Sequence, residues 1–325
     1  MLIILEGPDG AGKSYLRNKL AHRLVQLGES PPLQLHAGPP TTHPLDEYES
    51  PLMGYRPSPH SPLGQLHVIC DRWHLGEIVY PRVFRRPTRY DPAVNAHVEL
   101  FLRARGAIVV FVYDDINVMK SRVGPGRDDF VRAGHIPALM QEYRSAIAGT
   151  RLPLLQWKSV RVDIDSIISA AQRAEESVQH LAPFTTYIGE PKPDFLLLGE
   201  NRGVSARTNY PAFMPYAATS GHFLLSHLDT GSYDIGISNA CDVDNADELW
   251  HQLGCPCTVT LGAAAHRAFL HEHGAMPHPQ FVRRFHYRNG DRYGKLIEKT
   301  MYDQEDRSSW RPSFTLRQDT KTIGS

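Results

Sequence analysis

The chain has 325 residues, 41% hydrophobic and 22% charged, a globular composition with enough apolar material for a core and a length that suits two domains better than one. Lys plus Arg number 35 and Asp plus Glu 35, a formal net charge of +0, so no global field draws in nucleic acid or anionic membrane and only local basic grooves remain open. No apolar run approaches the roughly 20 residues of a membrane span, and a strand and loop stand where a signal peptide would, so a cytoplasmic protein is expected.

The first element is an apolar strand over 2–5, followed at once by Gly7-Pro8-Asp9-Gly10-Ala11-Gly12-Lys13-Ser14 and then by a helical pattern over 14–27 that opens on Tyr15. Strand, glycines, Lys-Ser and helix in that order make a phosphate-binding loop. Its backbone N–H groups and the helix N-terminus turn toward a polyphosphate, Lys13 reaches the terminal phosphates, and Ser14 can hold Mg²⁺. Residues Gly7, Gly10, Ala11, Gly12, Lys13, Ser14 and Tyr15 are therefore the expected ATP-binding set.

A short strand over 33–36 comes next, and residues 38–64, rich in Pro, Ser, Thr and His, read as a long loop, either a lid over an acceptor or an insertion without function. A strand over 67–70 leads into Asp71-Arg72-Trp73, then Gly76-Glu77 and Tyr80. A carboxylate at a strand end beside the loop can hold a Mg²⁺-bound water, and an adjacent Arg can fork onto an acceptor phosphate, although a surface ion pair is the plainer alternative. A helix over 93–105 and a strand over 107–113 follow, then Arg122-Val-Gly-Pro-Gly-Arg127-Asp128-Asp129, whose arginines can close over a transferring phosphoryl group. A helix over 136–148, a strand over 159–162 and a helix over 164–181 complete this half. Strands alternating with helices imply a parallel sheet covered on both faces.

Leu5-Glu6-Gly7-Pro8-Asp9-Gly10-Ala11-Gly12-Lys13-Ser14 is similar to the phosphate loop of thymidylate kinases, and Asp71-Arg72-Trp73 with Tyr80 resembles their Asp-Arg-Tyr motif. Gly126-Arg127-Asp128-Asp129-Phe130 and Tyr143 resemble the arginine-bearing lid and the tyrosine of the next helix. The resemblance implies a nucleoside monophosphate kinase fold, ATP and Mg²⁺ as cofactors, and two chains pairing. It places Asp9 on the acceptor sugar and Arg72 on its phosphate. Pro81 stands where the family has Gln, and His36-Ala37-Gly38-Pro39 replaces an Arg-Glu-Pro segment, which leaves the base open. The stretch Asp71-Arg72-Trp73-His74-Leu75-Gly76-Glu77 looks like that of bacteriophage kinases, some of which act on modified pyrimidines, free or in DNA; a phage protein would work in the host cytoplasm.

Residues 183–193, with their prolines, read as a linker, and a second αβ pattern begins after them: strand 195–198, helix 221–228, strand 235–238, helix 246–253, strand 258–261, helix 263–273 and a strand or turn over 276–279. The polar tail after Glu298 is expected to fray. Cys70, Cys241, Cys255 and Cys257 are too few and too irregular for a disulfide framework or a zinc site. In order, Gly199-Glu200-Asn201-Arg202-Gly203, Tyr210-Pro211-Ala212-Phe213, Asn239 at a strand end, Leu261-Gly262-Ala263 and Pro277-His278-Pro279 resemble the uracil-DNA glycosylase superfamily. That resemblance implies a pyrimidine stacked on Phe213, read by Asn239, with His278 stabilising negative charge, Glu200 orienting water, and Phe281-Val282-Arg283-Arg284 along phosphates. Asn201-Arg202 stands where the family has a small Ala-Pro pair, and a base-binding version and a glycosylase both stay open.

The expected architecture is therefore α/β throughout: a P-loop kinase unit over 1–182, a linker over 183–193, a smaller uracil-DNA-glycosylase-like unit over 194–300 and a tail over 301–325. The expected activity is phosphoryl transfer from ATP to a pyrimidine deoxynucleoside monophosphate, with Lys13, Asp9, Arg72, Arg122 and Arg127 catalytic and Ser14 and Asp71 managing the metal. Phosphorylation of a modified base such as 5-hydroxymethyluracil in DNA, read by the second unit, and glycosylase activity in that unit are the alternatives.

Overall fold

The structure is a computed structural model that describes the chain apart from residues 39–41, 56–65, 89, 124–129, 159–162, 201–210, 241–244, 272, 287–289 and 306–325. Its first sheet has five parallel strands, β1 (Leu2–Glu6), β2 (Leu33–His36), β3 (Val68–Asp71), β4 (Ala107–Tyr113) and β5 (Leu154–Lys158), in the order β2-β3-β1-β4-β5. The central strand β1 is apolar at every position before Glu6 because both of its faces are covered. Ile3 and Leu5 pack on Leu16, Leu20 and Leu24 of α1 (Lys13–Gln26) and on Ile167 and Ile168 of α7 (Ile164–Glu176). Leu2 and Ile4 face the other way, toward Val94, Val98 and Phe101 of α4 (Pro92–Arg103).

The second sheet contains β6 (Ile188–Gly189), β7 (Phe195–Gly199), β8 (Ile235–Asn239), β9 (Cys257–Leu261) and β10 (Gly274–Met276), ordered β10-β9-β7-β8-β6 with β6 alone antiparallel. Helices α8 (Ser220–His227), α9 (Ala246–Gln252), α10 (Ala263–Ala268), α11 (Pro279–His286) and α12 (Gly290–Glu305) flank it. The two sheets share one apolar cluster, in which Val98 and Phe101 join Leu197, Phe223 and Ile237.

Several sequence expectations need correction. Within 38–64, the described residues form α2 (Pro44–Tyr48) and a 3-10 turn over Ser50–Leu52, and Leu45, Tyr48, Leu52 and Tyr55 are buried. Four apolar residues among prolines and polar groups are enough to anchor the segment. The strand expected over 159–162 lies outside the described residues, and the fifth strand pairs with β4 over Leu154–Lys158 instead. The segment 183–193 is packed rather than a loose linker: Phe184, Tyr187 and Ile188 are buried and β6 pairs with β8. The helix expected over 263–273 stops at Ala268, because Phe269 turns extended and into the core. The tail begins later than expected. Tyr293, Ile297 and Met301, one every fourth residue, bury one face of α12, and Met301 carries that face past Glu298 into the segment where fraying is expected.

Three further elements have no clear signal in the sequence. They are α3 (Gly76–Phe84), which carries Pro81 inside it, α5 (Ile116–Arg122), and a 3-10 turn over Ala133–His135. That turn leads into α6 (Ile136–Ala148), which matches the expectation. Among the described residues no helix is long and apolar enough to cross a membrane.

Candidate functional site

Strand order reverses around β1, whose neighbours β3 and β4 lead away to opposite edges, and a crevice opens beyond the carboxyl ends of such strands. The loop 7–14 fills it. Gly7 has φ 146, and a Cβ there would run into the Val112 carbonyl, so the chain can leave β1 at this angle only with glycine. Gly12, at φ 95, caps α1 without a side-chain cap hydrogen bond, and no acidic residue occupies the first turn. The helix end thus turns its positive dipole end toward an anion. Lys13 is buried, with Nζ donating to the carbonyls of Gly7 at 2.7 Å and Pro8 at 2.8 Å, which holds the ammonium over the loop. Ala11 is buried, whereas Tyr15 is mostly exposed with the Lys19 ammonium 5.5 Å from its ring centre.

β3 delivers Asp71 beside this loop. Its carboxylate accepts from Ser14 Oγ at 3.4 Å and from Arg17 at 3.2 Å. Ser14 and Arg17 are three residues apart on α1, so one helix face meets one carboxylate. Arg17 is the partner that sequence reasoning misses; its spacing from Ser14 is the available signal. Arg72, next along, has φ 64, a left-handed conformation strained for arginine, and its guanidinium is ion-paired with Asp9. The Tyr80 hydroxyl donates to the other Asp9 oxygen at 2.7 Å. Asp9 thus meets Tyr80 of α3.

Glu6, which the sequence presents only as part of a motif, is the keystone beneath. Fully buried, it accepts from the N–H groups of Trp73 at 2.9 Å and Leu75 at 3.1 Å and from the Tyr143 hydroxyl at 3.4 Å. Burial raises its carboxyl above the usual range, opposed by His74 and these hydrogen bonds. By holding both amides it fixes the turn that aims Arg72. Glu77, on the first turn of α3, is pushed up to about 7 by burial, with Tyr48 donating to it and opposing the shift. Arg122 donates to Asp114 at 2.9 Å and to the Gly10 carbonyl at 3.1 Å, so it lies against the loop; Arg127 is outside the described residues.

A second crevice opens at β7, whose neighbours are β8 and β9. Asn239, at the end of β8, is buried. Phe213, at φ 53, lies over Gly199, where a Cβ would come within 2.5 Å of the ring and 2.9 Å of Asn239 Oδ1. Only glycine lets ring and amide close on the same strand end. The His278 ring lies against Phe213 with centroids 6.1 Å apart and 27° between planes. Burial lowers the His278 pKa, opposed by Glu200, so its imidazole is neutral at neutral pH. Glu200 Oε1 accepts from the Ala264 N–H at 3.0 Å and so tethers the start of α10. Glu200, Phe213, Asn239 and His278 are thereby brought together; Asn201 lies outside the described residues.

The two crevices are joined through α4. His97, fully buried, bonds Glu49 at 2.7 Å and the Ala212 carbonyl, beside Phe213, at 3.0 Å. Two residues on, Glu99 bonds His74 at 2.6 Å and the Arg151 N–H at 2.9 Å. Burial would raise Glu99, but the bonds from His74, Arg151 and Thr150 outweigh it and hold the carboxyl below its usual value.

No family model matches this chain. It is 25% identical over 169 residues to the SPbeta prophage-derived uncharacterized protein YorR of Bacillus subtilis, a match taking in 51% of this chain and 93% of that one. The crystal structure of YorR in complex with phosphorylated GDP is similar with a TM-score of 0.41 and 22% identity, over 55% of this chain and 98% of that one. The structure of deoxyadenosine kinase from M. mycoides with dCMP and dCDP is similar with a TM-score of 0.31 and 14% identity, over 55% of this chain and 100% of that one.

Proposed function

We propose that the chain is an ATP-dependent phosphotransferase acting on a pyrimidine deoxynucleotide of the thymidylate type. The observation that carries this reading is that a single loop is equipped differently at its two ends. At one end the N-terminus of α1, Lys13 and the Ser14–Asp71 pair suit a triphosphate. At the other, Asp9 is held by Arg72 and Tyr80. A loop that only stored a triphosphate has no use for the second set, whereas phosphoryl transfer needs an acceptor oriented in line with the γ-phosphate.

In that reaction an acceptor oxygen attacks the γ-phosphorus, the bond to the β-bridging oxygen breaks, and ADP leaves. Ser14 and Asp71 are oxygen donors of the type that binds Mg²⁺ together with substrate phosphates and water. The ion, when bound, neutralises charge on those phosphates. Asp9 orients the acceptor sugar, Arg72 its phosphate, and Arg122 with Arg127 offsets the charge that spreads over the transferring group.

The convergence of Glu200, Phe213, Asn239 and His278 on one crevice favours a second reading, in which the acceptor is a modified pyrimidine within DNA, such as 5-hydroxymethyluracil, and the second half reads the base. Phe213 supplies a stacking face and Asn239 an amide for a pyrimidine edge. The Glu200 carboxylate is engaged with Ala264, which favours base reading over hydrolysis of the glycosidic bond. Labelled ATP offered with free deoxynucleoside monophosphates and with duplex containing 5-hydroxymethyluracil separates these readings. Label in free nucleotide alone rejects the DNA reading, and label in DNA alone rejects the first. Strand cleavage after alkali, lost in Glu200→Gln and His278→Ala, would assign a glycosylase instead.

A further inference from the structure

On and beside α3, aromatic and guanidinium groups extend beyond Arg72 and Tyr80 into positions that the chemistry above does not use. They start at the acceptor end of the loop, where the Arg72 guanidinium lies 5.6 Å from the centre of the Tyr80 ring. One helical turn on, Phe84 stacks on Tyr80, with centroids 6.0 Å apart and 14° between planes. The Arg86 guanidinium is then 5.3 Å from the centre of Phe84 and 5.3 Å from that of Phe130. His135 packs edge-on against Phe84 at 4.9 Å. The outer end faces water: Phe130 is 68% exposed, and Arg82, Arg86 and Arg132 are exposed. Glu142 approaches Arg82 at 3.5 Å and leaves its guanidinium largely solvated.

A mononucleotide held at Asp9 and Arg72 would occupy only the inner end of this ladder. Past Tyr80, Phe84 is enclosed by Tyr80, Arg86 and His135, and Phe130, 68% exposed, presents ring surface on which a base can stack, beside guanidiniums that take phosphates. That combination is how single strands are held without regard to sequence. In a chain with a formal net charge of +0, such clustering is a local feature and not a by-product of a basic composition. An acidic protein or a lipid headgroup would use the arginines but would leave the Phe130 ring idle.

We propose that Phe130, with Arg82, Arg86 and Arg132, forms a track for a single strand of DNA that passes over Phe130 and brings one nucleotide to the loop. The direction of the track rests on the phosphotransferase reading above, whereas the binding of a strand does not. Fluorescence anisotropy of a labelled oligodeoxythymidine with the whole chain, repeated across salt concentrations, tests it. The wild type is expected to bind with affinity that falls as salt rises. Replacing Arg82, Arg86 and Arg132 together by Gln is expected to weaken binding at least about tenfold. The same change should reduce the log–log salt slope by about 2, since each phosphate neutralised on a single strand contributes roughly 0.7. Phe130→Ala is expected to weaken binding with the slope unchanged, as removal of a stacking face requires.

Absence of oligonucleotide binding by the wild type at low salt would overturn the track, as would wild-type affinity in both variants. Transfer of label to free deoxynucleotide is followed in the wild type and in the variant at Arg82, Arg86 and Arg132, and is expected to be the same in both. If no protein transfers label to any acceptor while the anisotropy results hold, the track stands and the phosphotransferase reading falls.

Discussion

Single side chains decide how the loop works. Gly7 is the sharpest case, because its φ of 146 and the Val112 carbonyl leave no room for a methyl group. Gly7→Ala is expected to cost about 1–3 kcal/mol in urea unfolding and to weaken ATP binding, as the loop must shift to relieve the clash. Glu77 makes a pH prediction. Its native carboxyl titrates at about 7 because of burial, against an ordinary value of 4.5. Between those values the native state holds a proton that the unfolded chain lacks, so the penalty on the charged form is full above pH 7 and is relieved as pH falls toward 4.5. Glu77→Gln should therefore gain stability relative to wild type as pH rises from 5 to 8, read as a widening difference in Tm; a constant difference would reject the burial account. Lys13, Ser14, Asp71 and Arg72 are legible as candidates because they sit in one strand–loop–helix pattern and at one strand end, which local sequence discloses. Glu6, Arg17 and His97 are not, since each acts through a partner distant in the chain that no local pattern discloses.

At the scale of elements, strong apolar periodicity is legible and weak periodicity is not. The strand over Ala107–Tyr113 and the helix over Ile136–Ala148 fall where the pattern puts them, being buried over most of their length or along a regular face. The edge strand β5 has only Trp157 fully buried, which leaves little pattern to read. α3 escapes notice because Pro81 argues locally against a helix, while packing against α6 overrides it. α4 is the element on which the two crevices depend. Its N-cap Asp91 accepts from the Val94 N–H at 2.9 Å and also bonds His222 of α8 at 2.8 Å. Asp91→Ala should cost about 1 kcal/mol from removal of the cap, measured by chemical denaturation.

The whole molecule departs most from the sequence picture of two units on a loose linker. The apolar cluster shared by both sheets, the bond of His97 to the Ala212 carbonyl at 3.0 Å, and the ion pair of Arg151 with Asp234 at 2.8 Å all cross that division. Prolines in the sequence mark where the chain turns but say nothing of what it packs on. Removing one partner of a buried pair strands the other, so His97→Leu should cost about 3–5 kcal/mol. It should also disturb the Phe213 platform, seen as loss of any pyrimidine binding that wild type shows. The proposed function requires the loop to transfer a phosphoryl group rather than merely hold a nucleotide. Incubation with γ-labelled ATP and a panel of deoxynucleotides, free and in DNA, tests it most directly. Wild type should place label on an acceptor and Lys13→Ala, still folded, should lose at least about a hundredfold in rate. Undiminished transfer by Lys13→Ala, or no labelled acceptor with wild type, would contradict it.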